Sequence, residues 1–294
     1  MVKINLTDFG LLVKHLRKNS VDERGNRWTR ESLSEAIHLT ANQLGRLERG
    51  DRKYLDTQTL QLLARALKLT NLEQKEFFIA AVGLKDEILF DHEDPLAQLN
   101  NLVNLMEKMQ IPAFAVDPYG DILASNTSCL KLFLITPEMI EYAHTIPAGL
   151  NHMHFIYSSV FGFRNIIGPA WRKVAAIEIL LFRRSTLRYR HTEYFDYIFK
   201  ALLREKEFDI DWYSSHRNPD YYDLTYEAFD YDHPRYGPLS YVATETIINT
   251  QKGDIYLILY NPANQSTCEV FKELKGPNKN HTLKLAGWPE KVML

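Results

Sequence analysis

The stretch that decides the fold is Thr29–Gly50, "TRESLSEAIHLTANQLGRLERG". Thr29 precedes Arg30, Glu31 and Ser32 as an N-cap, and Leu33, Ala36 and Ile37 supply the inward face of a helix of about two turns. Leu39 is the buried residue of a tight connection, and Thr40 caps the next helix. Leu44 and Leu47 pin that helix to a core, and Gly50 ends it. With both leucines inward, Ala41, Asn42 and Arg46 fall on the opposite side of the 3.6-residue wheel. Two short helices joined by a tight turn make a helix-turn-helix, whose second helix enters the major groove. Asn can pair bidentately with adenine and Arg with guanine, each good pair giving roughly 1 to 3 kcal/mol of discrimination.

The flanks extend this reading. Phe9, Leu12, Val13 and Leu16 repeat at i, i+3, i+4, i+7 and predict a first helix, followed by the polar loop "RKNSVDERGNRW". Leu60, Leu63, Ala64 and Leu67 share one face of a fourth helix over Thr57–Leu67, and a fifth runs from Leu72 to about Val82. The result is an all-α, five-helix domain over residues 1–85. It holds 15 Lys+Arg against 10 Asp+Glu, whereas the rest of the chain holds 20 against 27. A basic head on an acidic body predicts that the head alone meets a polyanion. Aromatic residues divide the same way: Tyr54 is the only one of 16 tyrosines before Tyr119.

Length and composition bound the rest. At 294 residues the chain exceeds what one core ordinarily supports, so two domains are expected. No run approaches the ~20 apolar residues of a membrane span, and the opening "MVKINLTDFG" has no signal-peptide pattern, so a cytoplasmic protein is expected. Cys129 and Cys268 form no CxxC pair and have no His at ligand spacing, which argues against a disulfide framework or a zinc site.

In "KDEILFDHEDPLAQ" the composition shifts abruptly, giving a linker over 86–95. Its Asp91, His92, Glu93 and Asp94 are consecutive and cannot converge on one ion without a turn, and "HMH" at His152–His154 has no third ligand nearby. HExxH, GxGxxG, Walker and GxSxG patterns are absent, so no metal, cofactor or catalytic residues are expected. In "IPAFAVDPYGDILASNTSCLKLF", two β-prone runs flank the turn Asp117-Pro118-Tyr119-Gly120, and Asn126 opens a helix. Helices around Trp171–Leu181 and Tyr194–Phe208 follow. Strands return from about Asp223, with a hairpin at "NTQKGDIY" and a buried strand at "IYLILYN". An α+β domain over 96–276 results. The tail, 277–294, shows no sustained periodicity and stays unassigned.

The Thr29–Gly50 stretch, with "LQLLARALKLT" in the fourth helix, resembles the helix-turn-helix of the Cro and lambda-repressor (XRE) family, for which "LERG" is a usual ending. His38 stands where that family has a turn Gly, and Gly45 interrupts the recognition helix. The resemblance implies base contacts at Ala41, Asn42 and Arg46, with Arg30 at the start of the second helix. It places Thr40 and Gln43 beside the DNA backbone, and Arg17, Arg49, Arg52 and Lys53 are phosphate candidates. The strand, turn, strand and Asn-capped helix after residue 111 look like the start of a PAS domain.

Further on, Asn151 in "GLNHMHFIYSS", Trp171 in "PAWRKVA", Phe208 and Trp212 in "EFDIDWYSSH", and His233 in "DHPRYGPLSY" resemble the ligand-binding domain of MmyB-like transcription regulators. The usual Arg-Asn pair of that family is Leu150-Asn151 here, and the long basic insert between the first two helices is reduced to "NSVDERGNRW". The resemblance implies a PAS-like domain for an apolar small molecule, fatty acids being the leading class, with Asn151, Trp171, Trp212 and His233 as candidate ligand-binding residues. Double-stranded DNA is the expected partner, and paired half-sites imply a homodimer. Two alternatives stay open on sequence: an enzyme body targeted by the head, and a protein-binding head joined to a dimerisation domain.

Overall fold

A computed structural model describes residues 7–51, 55–83, 94–215, 227–277 and 280–293. The chain divides into two compact units: Met1–Lys85 with Arg183–Asp196, and Asp86–Phe182 with Tyr197–Leu294. No helix among the described residues is long and apolar enough to cross a membrane.

The first unit contains α1 (Thr7–Asn19), α2 (Arg30–Ala36), α3 (Ala41–Glu48), α4 (Thr57–Ala66) and α5 (Asn71–Val82). Its core holds Phe9, Leu12, Val13 and Leu16 of α1, Leu33, Ile37, Leu44 and Leu47 around the turn, and Leu63 and Phe77. Ala36 faces outward and Ser34 takes the inward place. Thr29 caps α2 and Thr40 caps α3, each in a reciprocal box with Ser32 and Gln43 respectively. His38 adopts φ +57°, the left-handed conformation that the turn requires. A Cβ on Gly10 would overlap the Leu47 carbonyl oxygen, so a residue without a side chain lets α1 cross α3 closely.

Residues 183–196 complete this unit. Leu187 is fully buried in the same core, and Arg183 and Arg190 each bond the fully buried Glu73 of α5, at 3.0 and 2.6 Å. Burial pushes the Glu73 carboxyl up, but the two guanidinium charges outweigh it and hold its pKa at about 2. The five-helix expectation for 1–85 therefore lacked one piece, supplied from about a hundred residues downstream.

The second unit is α+β, as expected. After α6 (Pro95–Met106), capped by Asp94, come β1 (Ala113–Val116) and β2 (Ile122–Asn126), joined by the Asp117–Gly120 turn. The Asp117 carboxylate accepts from the Tyr119 and Asp121 amides, and Gly120 sits at φ +81°, where a Cβ would come within 3.2 Å of the Phe182 ring. Asn126 caps α7 (Thr127–Leu132) and is followed by α8 (Pro137–Ala143), α9 (His152–Tyr157), α10 (Phe163–Ile167) and α11 (Trp171–Thr186). The chain continues through α12 (Glu193–Leu202), α13 (Lys206–Ser214), β3 (Phe229–His233), β4 (Gly237–Ile248), β5 (Ile255–Pro262), α14 (Gln265–Lys275) and β6 (Thr282–Lys284). The antiparallel sheet runs β3-β4-β5-β1-β2-β6.

One face of the sheet, with Ala113, Ala115, Leu123, Ala124, Ile255 and Leu257, packs on Leu99, Leu102 and Met106 of α6. An irregularity in the β1–β2 register, beside Leu123, lets Leu123 and Ala124 both join that face while Ile122 and Ser125 turn to the other. The tail belongs to this unit, which corrects the boundary expected at 276. Within it β6 pairs with β2, Trp288 joins the core, and Lys291 pairs with Asp117 and Asp121. Most of the expected linker, residues 86–93, lies outside the described residues, as do Arg52 and Lys53.

Candidate nucleic-acid interface and ligand cavity

Helix α3 presents the expected face. Leu44 and Leu47 are buried, Asn42, Gln43 and Arg46 are exposed, and Ala41 is half-buried. Among the described residues neither the Asn42 nor the Arg46 side chain has a hydrogen-bond or ion-pair partner, so both are available to base edges. Thr40 and Gln43 cap one another: Thr40 Oγ1 accepts from the Gln43 amide at 3.1 Å, and Gln43 Oε1 accepts from the Thr40 amide at 2.8 Å. The Gln43 amino group remains free at the helix N-terminus, where phosphates are favoured. Arg49 is exposed and pairs with Asp51 at 2.9 Å, a surface contact that a phosphate can displace.

Two arginines named from the sequence are held elsewhere. Arg17 is buried: its Nε donates to Glu48 Oε1 at 2.5 Å and its Nη1 to the Trp28 carbonyl at 3.2 Å. Arg30 donates from Nε and Nη2 to Glu48 Oε2, at 3.1 and 2.8 Å. Burial pushes the Glu48 carboxyl up, yet the hydrogen bonds from Arg17 and Arg30 hold it below the usual range. Both arginines thus have a second role in the structure, neutralising a buried carboxylate: all three Arg17 nitrogens are engaged, whereas Arg30, with its side chain 41 % exposed, gives Nε and Nη2 and keeps the Nη1 donors without a partner among the described residues. The sequence carried a signal for this. Glu48 lies four residues after Leu44, on the leucine face, and a buried acid needs a cation.

In the second unit, the sheet face opposite α6 borders a cavity. It is a partly open cavity of about 60 Å³. Phe114 and Tyr260 come from the central strands, Ile122 and Ser125 from β2, and His152 and Phe155 from α9. Among the described residues no Lys, Arg, Asp or Glu lines it. Cys129 does, and burial pushes its thiol up to about 12, so the sulfur stays protonated. Burial holds His152 at about 4, so its imidazole is neutral at physiological pH.

None of the four ligand residues expected from the sequence lines this cavity. Asn151 is fully buried and caps α9; its Nδ2 donates to the Tyr119 carbonyl and Asp121 Oδ1, and its Oδ1 accepts from the Met153 amide. It fixes the β1–β2 turn to the helix that carries His152. Trp171 lies one layer behind the wall, donating to the Ile156 carbonyl at 2.8 Å between the guanidinium groups of Arg164 and Arg172. Trp212 packs with Phe182, Phe199 and Phe208. His233 bonds the Leu132 carbonyl at 2.8 Å and accepts from the Arg235 and Tyr236 amides. Sequence patterning singles out such residues because they are large or polar in an apolar setting, and packing uses them equally. Strand alternation around Phe114 and Ser125 was the signal for the lining.

No curated protein matches the chain. A helix-turn-helix family model matches residues 25–73, which contain α2, α3 and α4. The model described as the MmyB-like transcription regulator ligand binding domain matches 100–274, more than half of the chain and most of the second unit. With an XRE-type helix-turn-helix ahead of that domain, the chain belongs to the MmyB-like transcription regulators, DNA-binding proteins that carry a ligand-binding domain.

Proposed function

We propose that the protein reads operator DNA through Asn42 and Arg46, with Ala41 beside them and Thr40, Gln43, Arg49, Arg52 and Lys53 toward the phosphates. As a cytoplasmic homodimer it would contact two half-sites one helical turn or more apart. The cavity on the sheet takes an apolar small molecule with an alkyl body, fatty acids being the class that the resemblance implies, and its occupancy biases DNA affinity. The observation that carries the ligand reading is a cavity lined, among the described residues, without a carboxylate, lysine or arginine. A protonated Cys129 and a neutral His152 without a nucleophile in hydrogen-bond reach support a sensor rather than an enzyme.

Site selection with purified protein tests the DNA half. Arg46→Ala is expected to cost roughly 1 to 3 kcal/mol and to relax preference at one base position. Unchanged base preference would reject the assigned face. For the ligand half, coupling is reciprocal: whatever factor the ligand applies to operator affinity, the operator applies to ligand affinity. Calorimetry with and without operator DNA reads both, and unequal factors or none would reject sensing.

A further inference from the structure

Three observations about the cavity bear on the polar end of its ligand. First, its wall carries two polar rings with no side-chain hydrogen bond among the described residues. The Tyr260 phenol, on a residue only 8 % exposed, has no hydrogen-bond partner among the described residues, and the His152 imidazole makes no hydrogen bond either. Both rings pack against Phe114, with centroids 6.0 and 4.9 Å away, so they share one wall. Second, no cation lines the space. Third, a charge beside the wall is of the wrong sign for an acid: Glu178 Oε2 lies 3.6 Å from His152 Nδ1, and after burial and Cys129 its negative charge further raises the Tyr260 phenol.

Removing a carboxylate from water without a cation costs far more than one neutral donor returns, and Glu178 adds like-charge repulsion. An uncharged oxygen, in contrast, can accept from the Tyr260 hydroxyl and exchange a hydrogen bond with neutral His152 at little desolvation cost. We infer that the cavity selects ligands with an alkyl body and an uncharged oxygen head (alcohol, ketone, ester or un-ionised acid) over the same body ending in a carboxylate, with Tyr260 and His152 as the residues that recognise the head. This rests on the cavity being the ligand site, as proposed above. It narrows the fatty-acid class to its neutral relatives or its protonated form.

Melting-temperature shifts and calorimetry on the full chain at pH 7.5 test it with four probes of one length: dodecane, dodecan-1-ol, dodecanoate and dodecylamine. Dodecanol is expected to bind at least about tenfold tighter than dodecanoate. Tyr260→Phe is expected to weaken dodecanol by roughly fivefold, the loss of one hydrogen bond, and to leave dodecane unchanged. Dodecanoate or dodecylamine binding as tightly as dodecanol would overturn the inference, as would dodecanol affinity indifferent to Tyr260→Phe. If a charged probe binds and is displaced by dodecane, the cavity stands as the ligand site while the head-group assignment falls. If none of the four binds, the cavity reading falls with it.

Discussion

Arg30 and Arg46 both look like base readers in sequence, and one carboxylate separates them. Glu48, on the leucine face of α3, accepts from Nε and Nη2 of both Arg17 and Arg30 and from no donor of Arg46. Removing one member of a buried ion pair leaves the others uncompensated, at about 3 to 5 kcal/mol. Glu48→Gln is therefore expected to destabilise the head by an amount of that order in denaturant unfolding, with Arg30→Ala costing less because its side chain is 41 % exposed. Arg30→Ala is also expected to leave base preference intact in site selection; a new preference would restore Arg30 to the reading face. Periodicity places Asn42 and Arg46 on the exposed face, where the structure has them, because it needs only the local wheel. Arg17 lies 31 residues from Glu48, and that pairing is set by the crossing of α1 and α3, which no local pattern encodes.

Local chemistry also explains which elements were legible. Capping threonines, the Asp117–Gly120 turn, the Asn126 cap and the hairpin at Gly253 are short-range signals, and all appear where residue types require them. The β1–β2 irregularity breaks the alternation that would assign Leu123 and Ala124 to opposite faces, so alternation gives only part of the cavity lining, and strand β6 depends on a partner about 160 residues away, so the tail was not legible. Gly45 is a departure that the fold tolerates without needing it. A Cβ there would meet Arg49 Nη1 at 3.5 Å and Arg30 Cδ at 3.6 Å, ordinary contact distances. Replacing a mid-helix glycine by alanine gains up to about 1 kcal/mol. Gly45→Ala is expected to raise the melting temperature with unchanged operator affinity. A lower melting temperature would mean that α3 relies on the freedom of glycine at that point.

At the scale of the molecule, the head is assembled from two stretches of chain, Met1–Lys85 and Arg183–Asp196. A fragment ending at Lys85 lacks Leu187, Arg183 and Arg190, leaving an opening in the core and Glu73 without its cations. The isolated fragment is expected to be destabilised by about 3 to 5 kcal/mol or more in urea unfolding, relative to the head transition of the full chain. Equal stability would show that the inserted segment is dispensable. Glu73 also sets an acid limit. Its folded pKa of about 2 lies below its ordinary 4.5, so its contribution is complete above pH 4.5 and is lost as pH falls toward 2. The two-segment head also has a consequence during synthesis. At ~5 to 20 residues per second, roughly 6 to 22 s separate the emergence of Lys85 from that of Asp196. Throughout that interval the nascent chain carries a recognition helix on an unfinished core, so a growing polypeptide cannot occupy an operator with full strength before half of its sensor has been made.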